Sequence, residues 1–280
     1  MNPFLKKFLY VLIALFALVG LLFTGVFVAM QFGLLNVRGS ILDRNAFFGT
    51  TTPSVLSQPC IQTDVNVCDW RQTPEWVVVE GGLRKDADVI ERVSKETGVS
   101  ERLIAAVVIP EQIRFFTSER EVFKRYFEPL KILGSLTQFS LGVSGMKQET
   151  AQEVERYALD SSSPFYPGEG AGALIAYNDQ IGQEAELYNR LTDKDHYYSY
   201  LYTALFLKEI ELQWERAGFP IKDRPEILVT LFNIGFANST PNASPQVGGA
   251  AIEAGGKTYS FGELGGQFYA SNELSDLFPK

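Results

Sequence analysis

The uncharged stretch from Phe8 to Val37 constrains this chain more than any other feature, and its Phe8–Met30 portion is almost wholly apolar. At about 1.5 Å of rise per residue, a helix over those positions reaches roughly 35 Å, enough to cross a hydrocarbon core of about 30 Å. A cleaved signal peptide needs an apolar region of only about 7 to 15 residues and a small-x-small exit site. This stretch is longer, and it runs out in Val28-Ala29-Met30-Gln31 without such a site. Residues 1–34 therefore read as a retained transmembrane signal anchor, with membrane contact through residues 8–30. Lys6 and Lys7 precede the span, while Arg38 and Arg44 follow it, so the positive-inside bias is slight. Long C-terminal domains translocate largely regardless of charge. The expectation is a single-pass membrane protein with a cytoplasmic N-terminus and its C-terminal domain outside, in a periplasm or at the cell surface.

The chain is 280 residues long with a formal net charge of -8. That balance argues against a nucleic-acid partner, and against retention on anionic glycans or lipids by bulk electrostatics. Cys60 and Cys68 are the only cysteines, with seven residues between them in a Pro/Thr/Ser-rich segment. Outside the cytoplasm they are a disulfide candidate; the alternative is two unrelated thiols. Two cysteines and the single His196 cannot make an ordinary structural zinc site without acidic help. No metal and no cofactor is expected.

Residues 35–83 are poorly periodic and read as an extracytoplasmic tether with some local structure. From residue 84 to 280 the pattern is helical. Val89, Ile90 and Val93 form an apolar stripe ended by Gly98, and Ser100 can cap the next helix. Leu103, Ile104, Val107, Val108, Ile109 and Ile113 make that next helix apolar on most of its surface, so it should lie centrally. Ser118 and Glu121 have capping-box spacing. Gln148–Leu159, Ala171–Leu191 and Tyr197–Ala217 follow as helices, and Asp223-Arg224-Pro225-Glu226 starts another that runs to Asn233. Trp76–Val79 and Thr258–Phe261 are the best strand segments, with a hairpin or loop bracketed by Gly248-Gly249 and Gly255-Gly256. The fold class is mostly α.

Glu111 carries the most chemical information. It stands at the end of Leu103–Pro110, an apolar helical run, where burial raises a carboxyl pKa. A glycosidic bond needs such an acid, still protonated near neutrality, to protonate its leaving oxygen. The bland alternative is an ion pair with Arg114, three residues on and on the same helix face. Pro110 removes one helical donor, so either the helix bends before Glu111 or a new turn begins there.

The order of segments resembles the lysozyme-like superfamily that includes goose-type lysozymes and the soluble lytic transglycosylases. The resemblance covers about residues 86–275. Glu111 takes the place of the family Glu. Gly142-Val143-Ser144-Gly145-Met146-Lys147-Gln148-Glu149-Thr150-Ala151 aligns with the Gly-Leu-Met-Gln block and the helix start that follows it. Phe232-Asn233-Ile234-Gly235 resembles the Ala-Tyr-Asn-x-Gly block, and Phe268-Tyr269 stands for the final Tyr. There are departures. Gly145 replaces a Gln that lines the sugar groove, Gln148 a Pro, Phe232 a Tyr, and Gln112 the usual Ser. The interval between Glu111 and Gly142 is also longer. The fold implied is a lysozyme-like helical domain.

On this resemblance Glu111 is catalytic, and Ser140, Gly142, Ser144, Gly145, Phe232, Asn233 and Tyr269 are substrate-binding candidates. Gly142 and Gly145 would admit close sugar approach or simply form a turn. Ser140 and Ser144 would bond sugar hydroxyls or Glu111. Asn233 suits an N-acetyl group but could equally cap its helix. Tyr269 would orient acid or sugar, or be core. Hydrolysing glycosidases use two carboxyl groups; Glu128, Glu149, Glu169 and Asp179 are acidic but none is at a marked position. One carboxyl suffices for a lytic transglycosylase, in which the sugar's own 6-hydroxyl is the nucleophile. The expected function is a peptidoglycan-cleaving muramidase, with lytic cleavage favoured and hydrolysis close behind, acting on the bond between N-acetylmuramic acid and N-acetylglucosamine in peptidoglycan glycan strands. The alternative is a catalytically silent peptidoglycan-binding or envelope scaffold protein. No particular envelope protein partner is indicated.

Overall fold

The computed structural model describes residues 3–31, 48–50, 69–115, 140–177 and 183–280. Helix α1 spans Pro3–Gln31. It is long and apolar enough to cross a membrane, and its segment Pro3–Leu21 has no buried share. Phe8, Leu12, Phe16 and Val19 are all exposed. An apolar helix that presents its surface on every described side is not the core helix of a water-soluble domain.

The packed body begins before residue 84. Thr73 caps helix α2, Pro74–Lys85, by accepting the Trp76 N–H on its side chain, with Pro74 in the first turn and Glu75 beside it. The strand expected at Trp76–Val79 is therefore helix. Its β-branched Val77-Val78-Val79 run favours strand locally, but the Thr-Pro-Glu start and burial of Trp76, Val79 and Leu83 in the common core decide the outcome. Trp70 sits edge-on to Trp76, with ring centroids 4.9 Å apart, and Trp76 reaches Phe268. Phe48 is fully buried over Gly82, where a Cβ would overlap its ring. Residues 48 and 70–83, placed in the tether by pattern, belong to the body.

Helix α3 (Ala87–Thr97) ends at Gly98, and Ser100 receives the Leu103 N–H at the start of helix α4, Glu101–Phe115. Leu103 through Ile109 are buried without a break, which makes α4 the central helix. Pro110 lies within it. The donor missing at Pro110 leaves the Ala106 carbonyl without its helical partner, and Gly265 closes over it. A Cβ there would come within 2.5 Å of that oxygen.

Strands β1 (Ser140–Leu141) and β2 (Met146–Lys147) pair antiparallel around the loop Gly142–Gly145, with Ser140 opposite Lys147 and Leu141 opposite Met146. Helix α5 follows at Gln148–Leu159. The single helix expected over Ala171–Leu191 is instead a short turn α6, Ala171–Leu174, and helix α7, Gln183–Thr192. Ile175-Ala176 leave the helical path, and their carbonyls accept from the buried Arg190. Helices α8 (Tyr197–Arg216) and α9 (Pro225–Ile234) match expectation. Strands β3 (Ala251–Ala254) and β4 (Lys257–Ser260) form a hairpin turning at Gly255-Gly256. Ser260 and Glu263 then close a capping box on helix α10, Phe261–Ala270. Helices α2, α3, α8, α9 and α10 and strand β3 all pack on α4.

Candidate active site

Glu111 occupies the C-terminal half of α4, after nine consecutive buried residues, Arg102–Pro110. Its side chain is 12% exposed. Arg114, one turn on, donates through Nη2 to both carboxylate oxygens at 2.6 and 2.7 Å. The ion pair available from the sequence is therefore formed. Such a partner favours the charged carboxylate, while the apolar packing around α4 opposes it.

The glycine loop lies against this carboxylate. Gly142 and Gly145 have φ of 65° and 62°, a region that favours glycine over any residue with a Cβ. A Cβ on Gly145 would overlap the Glu111 carboxyl group. Both the backbone angle and the space thus select glycine there, where the resembled family has Gln. A Cβ on Gly142 would strike Ser199 and the Leu191 carbonyl.

Side chains from two helices hold the loop. The Gln112 Nε2 donates to the Val143 carbonyl, and the Val143 N–H donates to Ser199 Oγ at 3.1 Å. Ser144 is fully buried, with its Oγ 3.4 Å from Ser199 Oγ. Its expected bond to a sugar or to Glu111 is replaced by this internal contact. Ser140 is fixed by its backbone pairing with Lys147. Neither Gln112 nor Ser199 carried a signal in the sequence. Ser199 stands in an aromatic run whose spacing speaks only of packing.

The other expected residues have contacts of their own. Asn233 Oδ1 accepts the Ala250 N–H at 2.8 Å, which ties the end of α9 to the segment entering the β3–β4 hairpin. Phe232 packs edge-on against Phe206, with centroids 5.0 Å apart. Tyr269 is at the far end of α4: its carbonyl accepts from Arg102 Nε at 2.8 Å, and its ring centroid is 6.0 Å from the Arg102 guanidinium. Nine residues separate Arg102 from Glu111, about 14 Å along the helix. The docking of the α10 C-terminus on Arg102 sets where Tyr269 sits. Glu149 and Glu169 are exposed; Cys60, Cys68, Ser118, Glu128 and Asp179 lie outside the described residues.

Two further buried acids stand apart. Asp86 accepts from Tyr200 Oη at 2.9 Å and pairs with His196 Nδ1 at 2.7 Å, which joins the α2–α3 corner to α8. Burial, with Asp86 beside it, pushes the Tyr200 hydroxyl far above its ordinary pKa. Glu209 on α8 is fully buried, and neither carboxyl oxygen has a hydrogen-bond partner among the described residues. Burial pushes its pKa well up. No three His, Cys, Asp or Glu side chains are grouped to hold a metal ion among the described residues. No family model, no curated protein and no solved structure matches the chain.

Proposed function

We propose that this chain is a membrane-anchored muramidase of lysozyme-like fold, with α1 in the bilayer, the N-terminus cytoplasmic and the helical body outside. Its substrate is the peptidoglycan glycan strand, cut between N-acetylmuramic acid and N-acetylglucosamine. One juxtaposition carries the reading. The Glu111 carboxylate rests against Gly145, so two segments that the family resemblance marks separately in the sequence meet in space. Glu111 protonates the leaving oxygen and then, as a base, takes the proton of the sugar's 6-hydroxyl, which closes the anhydro ring. A single carboxylate suffices for this lytic course, whereas hydrolysis calls for a second.

The competing reading, a silent peptidoglycan-binding scaffold, also has an observation behind it. Arg114 clamps both oxygens of Glu111, and an acid must hold a proton to act. For catalysis the arriving glycan has to draw Arg114 aside. The two readings separate when the full-length chain, purified in detergent, is incubated with peptidoglycan. Release of anhydromuropeptides that Glu111→Gln abolishes supports lytic cleavage. Ordinary reducing ends indicate hydrolysis, and binding without products indicates the scaffold.

A further inference from the structure

We infer that Gln112 and Ser199 are positioning residues that set the glycine loop against the acid; the inference rests on the reading that Glu111 is that acid. The loop cannot place itself. Its flanking strands contribute only two paired positions, and so short a hairpin is marginal in isolation. Its position comes from Val143, whose N–H and carbonyl are both taken by side chains on other elements. The carbonyl accepts from Gln112 on α4, the N–H donates to Ser199 on α8, and Val143 itself is fully buried. Gln112 directly follows Glu111. One stretch of α4 therefore fixes both the acid and the loop that faces it.

Gln112 is also a poor choice for stability alone. Its Oε1 is buried with no hydrogen-bond partner among the described residues, and an unmet buried acceptor is destabilising. An apolar side chain of the same length would avoid that penalty, but it would release the Val143 carbonyl. The amide is explained by its donor. Small displacements of groups that face a reacting centre cost rate far more than they cost binding.

Gln112→Met keeps the length of the side chain and removes both amide atoms; Ser199→Ala removes the hydroxyl that accepts from Val143. Each is compared with the wild-type full-length chain for cleavage of glycan oligomers of defined length, with rates expressed per folded molecule. We expect kcat to fall at least about tenfold in each, with KM within about twofold and the melting temperature of Gln112→Met close to wild type. Wild-type cleavage with kcat unchanged in both variants overturns the positioning role and leaves the muramidase reading standing. A fall in rate that only follows loss of folded protein also overturns it. Absence of cleavage by the wild type removes the muramidase reading and this inference with it.

Discussion

The two ends of α4 treat a charged side chain in opposite ways. Near its start, Arg102 is fully buried, and its guanidinium donates to five backbone carbonyls: Tyr269 from Nε, Glu273 and Phe278 from Nη1, and Phe268 and Ser271 from Nη2. These use every N–H the group has. Phe268 and Tyr269 belong to the last turn of α10, where the carbonyls of a helix carry partial negative charge. Burial still holds the guanidinium below its ordinary pKa, with Tyr269 and Glu273 opposing. Near the other end, Glu111 keeps some exposure, bonds to the neighbouring Arg114 and faces backbone that has no Cβ. One end is closed off by residues 268–278. The other is bordered by a loop whose Gly145 packs directly against a carboxylate.

The largest stability effect should therefore come from Arg102. Arg102→Met fits the apolar surroundings but strands the carbonyls of Tyr269, Ser271, Glu273 and Phe278, while that of Phe268 keeps the Ser271 N–H and Oγ; a loss of at least about 3 kcal/mol is expected. Urea unfolding of the full-length chain in detergent measures it. A loss below about 1 kcal/mol would show that water or the chain terminus can take over those carbonyls, and the contrast between the two ends would fail. On the proposed function, Glu111→Gln should give the opposite pattern, with cleavage lost in the peptidoglycan assay and the fold retained.

Next in size are the two loop glycines, which sharpen the comparison inside the site. Alanine at either position pays roughly 1–2 kcal/mol for its backbone conformation. At 142 the added methyl meets the Leu191 carbonyl, backbone that cannot step aside; at 145 it meets the end of the Glu111 side chain, which can. Gly142→Ala should thus lose more stability, by about 1 kcal/mol or more, and Gly145→Ala should lose more of any cleavage rate. Thermal melts beside initial rates test both halves. Equal melting temperatures for the two variants would count against the geometry described for Glu111.

Much of this body was legible because its helices start and stop with recognisable chemistry. Gly98, Ser100 and the Asp223-Arg224-Pro225-Glu226 start fell where expected, and the unbroken apolar run of α4 foretold its burial. The Thr73-Pro74-Glu75 start was just as readable, yet the β-branched residues behind it pulled the expectation toward strand. The break after Leu174 had no local mark, since it depends on Arg190 reaching back to two carbonyls. At the site, Glu111 and Gly145 were legible as separate blocks. Their clamps were not, because Gln112 and Ser199 act through the backbone of a loop whose partners only the folded chain supplies. The contact of Tyr269 with Arg102 was hidden for the same reason. Which end of α4 receives the α10 terminus is decided by Arg102, an ordinary surface residue to any reading of pattern.

The last contrast develops only with pH and concerns Glu209, a buried carboxyl without, among the described residues, the arginine bond that Glu111 has. Among the described residues neither of its oxygens has a hydrogen-bond partner, and burial raises its pKa well above 4.5. A folded-state pKa above the unfolded one means that the contribution of this group to stability is complete below the unfolded value. It is then lost as pH rises, because the unfolded chain releases a proton that the folded chain must keep. The slope is about 1.4 kcal/mol per pH unit until the raised value is reached, after which it levels. Glu209→Met fills the same space without a titrating group. Its stability should match wild type most closely near pH 5 and exceed it progressively toward pH 8 in paired urea unfolding series. Parallel pH profiles for the two proteins would mean that Glu209 finds a charged or hydrogen-bonding partner in solution, and its contrast with Glu111 would then vanish.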